Sequence, residues 1–298
     1  IADLLKDGEK SVDELARLTQ THSESLYRLL RALSSIGVFA ESENRRFQLT
    51  PMASAIQCDD PQSLRSYIRL LGDPSWWRPW GNLLYSLRSG EPAFDRVFET
   101  DYQTHLEHHP DLYEVFQDCM TRVSRIHNQA VVQAYDFSAH HNIIDVGGGQ
   151  GSLLKTILEA SPDSNGVLFD LPQVVEHADT SLKAVGGDFF QNVPAEGDVY
   201  VLKQVIHDWD DDRAVQILKN CRRVMHDQAV LLIIEAVLDS PADPVNLFFD
   251  LHMLVTAPGG RERSKPEFEA LLHQAGLKGI DMIATRSSFS VIKAVKSK

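Results

Sequence analysis

The chain has 298 residues, 43% apolar and 24% charged, with a formal net charge of −13. That composition describes a globular protein with a sizeable core, in one large or two ordinary domains. The acidic balance argues against a nucleic-acid partner, and no run of about 18 apolar residues marks a membrane span.

The chain opens inside an amphipathic stretch, "IADLLKDG", at Ile1 rather than Met, so the native start is expected to lie upstream. Short helices are predicted over 1–7, 11–19 and 23–36. In "SVDELARLTQ", Ser11 and Glu14 have the spacing of a capping box. Leu26, Leu29, Leu30 and Leu33 repeat with helical period and stop before Gly37. "VFAESENRRFQLT" reads as two short strands around a polar turn. Helix–turn–helix followed by a hairpin is the winged-helix pattern, which serves either DNA binding or an interaction scaffold. Over 11–50 the charges balance: Arg17, Arg28, Arg31, Arg45 and Arg46 against Asp13, Glu14, Glu24, Glu41 and Glu43. No basic recognition helix stands out, which disfavours DNA.

Residues 74–98 are dense in aromatics, with Trp76, Trp77 and Trp80 read as core. In "HLEHH", His105 and His109 are spaced i, i+4 and could face a metal, but no acid-plus-His motif accompanies them, and an exposed helix is the preferred reading. A long helix over 110–134 links the two halves. Beyond 140 the texture changes. Apolar β-branched runs at 142–147, 166–171, 198–205 and 229–237 alternate with helical segments at 151–160, 172–178 and 211–226, which implies a parallel sheet. "IDMIATRSSFSVIKAVK" adds two strands as an antiparallel hairpin at the sheet edge. Cys58, Cys119 and Cys221 are scattered without a C-x-x-C, which fits a reducing, cytoplasmic setting.

Candidate chemistry collects at the carboxyl ends of these strands, where open α/β sheets bind ligands. "IIDVGGGQGSLL" holds Gly147-x-Gly149-x-Gly151, one residue tighter than the dinucleotide fingerprint and without the Lys of a P-loop. Asp170, at the end of "VLFDLP", can accept hydrogen bonds from both hydroxyls of a ribose. In "VGGDFF", Asp188 can take the amine of an adenine with Phe189 over the ring, or simply cap its loop. Lys203 interrupts a buried strand, where an unpaired charge is costly, so an anionic partner is expected.

These stretches, with "LKQVIHDWDDDRAVQILKNCRRVM", "LLIIEAVL" and "APGGRERSKPEFEALLHQAGL", resemble in order and content the small-molecule O-methyltransferases that use S-adenosylmethionine. That family includes plant caffeate-type enzymes and bacterial antibiotic- and pigment-tailoring enzymes, and "HDWDDDRAVQILKN" leans to the bacterial branch. The similarity is dense over 140–280 and extends to the winged-helix region and "FQLTPMA", which look like the family's dimerisation domain. The resemblance implies a Rossmann-like α/β domain over 126–298, with a seven-stranded, mostly parallel sheet, preceded by a mainly helical winged-helix dimerisation domain over 1–125. It implies S-adenosylmethionine as cofactor, S-adenosylhomocysteine as product, and a homodimer in secondary metabolism with neither metal, nucleic acid nor membrane partner.

Residue by residue, the resemblance sets Gly147 and Gly149 under the methionine part of the cofactor, Asp170 on the ribose, Asp188 and Phe189 on the adenine, and Lys203 in cofactor contact, with Asp145 suiting the sulfonium charge. His207 matches the catalytic base, and Glu235 and Glu262 match two carboxylates that bracket it. A surface ion pair of Glu262 with Arg261 or Arg263 is the plainer reading of that glutamate. Phe116, Met120, Asp208, Asn246, Asp250 and Met253 match an acceptor pocket for a flat aromatic hydroxyl, although such residues at helical spacing also fit a core. Relatives often carry His-Gly where this chain has Glu99–Thr100, which puts that loop's shape in doubt. Two alternatives stand beside methyl transfer: non-methylating tailoring chemistry (hydroxylation or decarboxylation) on the same fold and cofactor, and a ligand-sensing winged-helix regulator.

Overall fold

The computed structural model describes residues 1–60, 63–239 and 243–297, with every side chain in them except that of Ile126. Two compact units emerge: residues 1–72 with 114–123, and residues 73–113 with 124–298. The chain leaves the first unit and returns to it, so neither unit is one continuous stretch.

In the first unit, β1 (Lys10–Ser11) leads into α1 (Val12–Thr19), α2 (Ser23–Ser35), β2 (Phe39–Ser42), β3 (Arg46–Leu49), α3 (Pro51–Ser54) and α4 (Arg65–Leu71). The three strands form one antiparallel sheet in the order β1-β3-β2. Ser11 and Glu14 close the capping box at the start of α1, satisfying amides that the helix leaves open. Leu15, Leu26, Leu30, Phe39 and Phe47 form the core beneath this winged-helix arrangement. Of the helical leucines, Leu29 is more than half exposed, as are Leu18, Ile36 and Met52.

The second unit begins with α5 (Pro74–Trp80), α6 (Leu83–Ser89), α7 (Ala93–Phe98) and α8 (Tyr102–Glu107). The long α9 (Pro110–Ala134) then contributes its residues 124–134. There follow β4 (Asn142–Val146), α10 (Ser152–Ala160), β5 (Asn165–Asp170), α11 (Pro172–Val175), β6 (Lys183–Gly186), β7 (Val199–Lys203), α12 (Asp211–Val224), β8 (Val230–Ala236), α13 (Pro244–Thr256), α14 (Lys265–Gln274), β9 (Leu277–Ala284) and β10 (Phe289–Lys296). The sheet order is β6-β5-β4-β7-β8-β10-β9. Strands β6 to β8 run parallel, and β10 pairs antiparallel with both β8 and β9. This is the seven-stranded Rossmann-like sheet the sequence implies.

Burial on both faces explains the near-continuous apolar runs of the parallel strands. One face carries Ile144, Tyr200, Leu202 and Ile233 against α12 and α14. The other carries Ile143, Val199, Leu232 and Ile234 against α9 and α10. From β4 the chain proceeds outward through β5 and β6, then returns to β7 on the other side. The crevice between β4 and β7 is therefore the topological switch point. Among the described residues no helix is long and apolar enough to cross a membrane.

Several local expectations change. Trp77 is 64% exposed and is not core, whereas Trp76 stacks on His252 with ring centroids 3.8 Å apart. His105 ends on the short α8 and His109 lies just beyond it, so "HLEHH" is not one helical face. Their rings stack at 4.0 Å, and His105 packs against Phe94 and Phe98.

Candidate active site

The glycine stretch turns the chain from β4 into α10 across the end of β5. Gly147 has φ +69°, and its amide donates to Phe169 O at 2.8 Å. A Cβ there would stand 2.8 Å from Val205 Cγ2 and 3.5 Å from Phe189 Cε1. Only glycine tolerates both that backbone and that approach. Asp170 holds the loop from the neighbouring strand: its carboxylate accepts from Gly149 N at 2.8 Å and Leu171 N at 2.7 Å. Burial pushes its carboxyl above the usual range, against the pull of those two amides.

Beneath the loop, Asp145 is 1% exposed, and among the described residues neither carboxylate oxygen has a hydrogen-bond partner. Burial raises its carboxyl to about 7, opposed by the nearby Lys203 charge. Lys203, at the end of β7, donates to Ser124 Oγ on α9 at 3.1 Å. Burial lowers its ammonium to about 8, while Asp145 and Glu235 pull the other way. Sequence reasoning missed Ser124, because a single serine in an amphipathic helix carries no signal of its own. Asp188 follows the end of β6 by two residues. It caps its own turn, accepting from Phe190 N at 2.8 Å and from Gln191 Nε2 at 3.1 Å. Phe189 lies beside the glycine loop, edge-on to Phe190 and Trp209.

These features fit the adenosyl cofactor that the sequence implies. A glycine cradle accepts close backbone approach, and Asp170 offers a carboxylate at the second strand end. Asp145 offers a buried carboxyl with no hydrogen-bond partner among the described residues, and Lys203 a cation within the same crevice. A zwitterionic amino-acid tail is complementary to that pair.

The second cluster surrounds His207. After β7 the chain makes one short 3-10 turn, Ile206–Asp208, and the imidazole is 6% exposed. Its Nδ1 lies 2.8 Å from Glu262 Oε1 and 3.9 Å from Glu235 Oε2, and its Nε2 lies 3.4 Å from Asp208 Oδ1. A carboxylate only accepts, so Nδ1 carries the proton and Nε2 is the nitrogen left to act as base. Burial alone would lower His207, but Glu235, Asp208 and Glu262 outweigh it and raise the ring to about 10. Glu235, fully buried on β8, is itself pushed up by burial.

Glu235 also fixes the backbone. Its Oε1 accepts from Val205 N, Ile206 N and His207 N at 3.0, 2.9 and 3.4 Å. Glu262 is 3% exposed, so the surface ion pair is overturned: Arg261 pairs with Glu267 and Arg263 with Asp211. Gly260 allows this segment to reach the turn, because a Cβ there would meet His207 O at 3.2 Å and Ala257 Cβ at 2.7 Å. His207, Glu235 and Glu262 are close enough together to surround a cation, with one ligand atom of each within 4.8 Å of the others. The Oε1 atoms of both glutamates and Nδ1 of the ring are already engaged in the hydrogen bonds above.

The proposed acceptor residues divide. Asp208 stands against Nε2 of His207. Asp250 accepts from Glu262 N at 2.8 Å and so supports the carboxylate that holds His207. Met253 is buried, and its methyl lies 3.0 Å from where a Gly260 Cβ would be. Asn246 turns away, donating to Ser288 O in the β9–β10 hairpin at 3.2 Å. Phe116 and Met120 lie on the stretch of α9 that counts with the first unit. Phe249 and His252 form an aromatic run beside the imidazole: His207 to Phe249 at 6.0 Å, Phe249 to His252 at 5.9 Å, then Trp76. A groove of about 420 Å³ at the opposite, amino-terminal ends of β4 and β5 includes none of these residues.

Comparison with known proteins gives two family matches: an O-methyltransferase domain over residues 80–278 and an O-methyltransferase dimerisation domain over residues 1–57. A phenazine O-methyltransferase of Lysobacter antibioticus is 40% identical, over 99% of this chain and 89% of that one. A methyltransferase of calicheamicin biosynthesis, solved in an S-adenosylhomocysteine-bound form, matches with TM-score 0.89 and 34% identity, covering 99% of this chain and 90% of that one. An O-methyltransferase of neocarzinostatin biosynthesis was solved with S-adenosylmethionine and 2-hydroxy-5-methyl naphthoic acid. It matches with TM-score 0.82 and 31% identity, covering 99% of this chain and 92% of that one.

Proposed function

We propose that this chain, which belongs to the family of S-adenosylmethionine-dependent O-methyltransferases, methylates a hydroxyl of a small planar aromatic acceptor with His207 as the base. When bound, S-adenosylmethionine supplies an electrophilic methyl group on a sulfonium and leaves as S-adenosylhomocysteine. His207 Nε2 takes the hydroxyl proton while the acceptor oxygen bonds the methyl carbon and the carbon–sulfur bond breaks. The single observation that carries this reading is the buried imidazole whose Nδ1 is committed to Glu262. That bond fixes the tautomer and leaves Nε2 to accept a proton.

The glutamates also set the strength of the base. Glu235, Asp208 and Glu262 raise the ring, which makes Nε2 a stronger base in the neutral form and makes that neutral form the minor one at neutral pH. Asp145, Gly147, Gly149, Asp170, Asp188, Phe189 and Lys203 are assigned to the cofactor. Asp170 would bond the ribose, and Lys203 the carboxylate of the amino-acid tail. Asp208, Met253 and Phe249 are assigned to the acceptor, and Asp250 to holding Glu262. The phenazine O-methyltransferase among the relatives and the hydroxynaphthoic acid bound to the neocarzinostatin enzyme support a fused or substituted aromatic ring. The match over 1–57 and the exposed Leu18, Leu29, Ile36 and Met52 support a homodimer formed through the first unit. Three free thiols fit a reducing compartment such as the cytoplasm.

The test is incubation with isotopically labelled S-adenosylmethionine and a panel of hydroxyphenazines and hydroxynaphthoic acids. The expected product gains one labelled methyl on oxygen. A product that instead gains oxygen or loses carbon dioxide would establish the non-methylating alternative.

A further inference from the structure

Arg263 is fully buried, the largest side chain of the described core to be so. Its neighbour Glu262 holds the imidazole; Arg263 holds the backbone that carries it. Nη1 donates to Ile206 O at 2.9 Å, and Nη2 to Trp209 O at 2.7 Å. Nε and Nη2 bracket Asp211 Oδ1 at 3.0 and 2.8 Å. The two carbonyls lie on either side of His207, one just before it and one two residues after. Arg261 N adds a third bond, to His207 O at 2.8 Å.

A single 3-10 turn cannot satisfy its own ends, because its first amides and last carbonyls have no internal partners. Here an anion and a cation divide that task. Glu235 takes the amides of 205–207, while Arg263 takes the Trp209 carbonyl beyond the turn and adds a second bond to the Ile206 carbonyl, which Trp209 N already reaches at 3.3 Å. The ion pair of Arg263 is with Asp211 at the start of α12, so its charge is not spent on the two glutamates that raise His207. Arg263 is also anchored to the segment just past β8: Leu238 N donates to Arg263 O at 3.0 Å, and Val237 bridges to residue 263. Lysine cannot reproduce this, because one ammonium cannot span two carbonyls and a carboxylate in a fixed plane.

We infer that Arg263 is a positioning residue for methyl transfer, fixing the height and rotation of the His207 imidazole through the carbonyls of Ile206 and Trp209. The inference rests on His207 being the base. The groups facing the ring are Glu235 on β8, Glu262 in the 259–263 segment and Asp208 on its own turn, with Asp250 and His252 on α13 behind them. If the turn loosens, the ring drifts from Glu235 and Glu262 and its pKa falls. A role in stability alone leaves that pKa in place.

The test uses full-length Arg263→Lys and Arg263→Met, with Asp211→Ala as a milder variant that keeps the guanidinium on both carbonyls. Three quantities are read: the His207 titration by NMR on histidine-labelled protein without cofactor, kcat and KM across pH, and S-adenosylhomocysteine affinity by calorimetry. Arg263→Lys is expected to lower kcat about 10- to 100-fold, to leave cofactor affinity within about threefold, and to move the His207 titration to lower pH. Asp211→Ala is expected to move the titration the same way by less. An unchanged titration in a folded variant, whatever its activity, overturns the inference, as does full kcat in Arg263→Lys. If Arg263→Met does not fold, Asp211→Ala and Arg263→Lys decide. A titration that moves while His207→Ala retains full turnover would refute the base assignment itself: Arg263 would still hold the ring, but not in the service of methyl transfer.

Discussion

The two halves of the site, both at the carboxyl ends of one sheet, are built on opposite plans. Around His207 most groups are paired within the chain: three amides on Glu235, two carbonyls on Arg263, Nδ1 on Glu262 and the Glu262 amide on Asp250, with Oε2 of each glutamate left over among the described residues. Around the glycine loop Asp170 is paired with two amides, but among the described residues both Asp145 oxygens lack a hydrogen-bond partner and Lys203 donates to a serine hydroxyl. Reaction chemistry gains from groups fixed before the substrate arrives. Binding chemistry gains from groups that a ligand can complete. The contrast predicts that substitutions at the two ends separate cleanly, one affecting turnover and the other affinity.

The largest effect expected at the cofactor end is that of Asp170→Ala. Losing the carboxylate that would bond the ribose and that holds Gly149 N weakens S-adenosylhomocysteine binding about 10- to 100-fold by calorimetry. Turnover at saturating cofactor should move far less; a comparable fall in turnover would break the separation. Next comes Glu235→Gln, whose oxygen can keep the amides while the charge is lost. The carboxylates around His207 hold the ring above its ordinary value, so kcat/KM should rise with pH well past 6.5. The variant's acid limb should move down by about one unit, with kcat lower by about tenfold. The charged ring also stabilises the fold: its contribution is full below about 6.5 and lost as pH rises through about 10.

Smaller effects concern stability. Gly147→Ala forces a Cβ into a left-handed residue against Val205 and should cost about 1–3 kcal/mol in urea unfolding. Asp145→Asn sharpens the comparison through pH. The carboxyl of Asp145 is raised to about 7, so the fold favours its protonated form, and that contribution fades as pH rises from about 4 through about 7. The asparagine variant should therefore gain on the wild type across that window and hold the gain above it. A constant difference would mean that Asp145 is not held in a protonation-sensitive setting.

What was legible in the sequence follows the range of the interactions. Ser11 and Glu14 signal a helix start because both partners lie within one turn. The β-branched runs signal parallel strands because burial on both faces is local to each strand. Asp170 could be read because it ends such a run. Arg263 could not: 54 residues of chain separate it from Trp209, and nothing in "GGRERS" tells a buried guanidinium from a surface one. For the same reason Asn246 and Asp250, one turn apart on α13, looked alike, while one caps a hairpin and the other braces Glu262. The return of α9 to the first unit likewise depends on packing that local pattern does not encode.

The central claim is that His207 takes the proton of an aromatic hydroxyl as that oxygen accepts the methyl group. Single-turnover transfer from labelled S-adenosylmethionine to the best acceptor of the panel tests it, comparing wild type with His207→Ala at saturating cofactor. A fall of about 10²- to 10⁴-fold in the rate, with cofactor affinity within about threefold, is the predicted result. A folded variant that transfers the methyl group at the wild-type rate would contradict it.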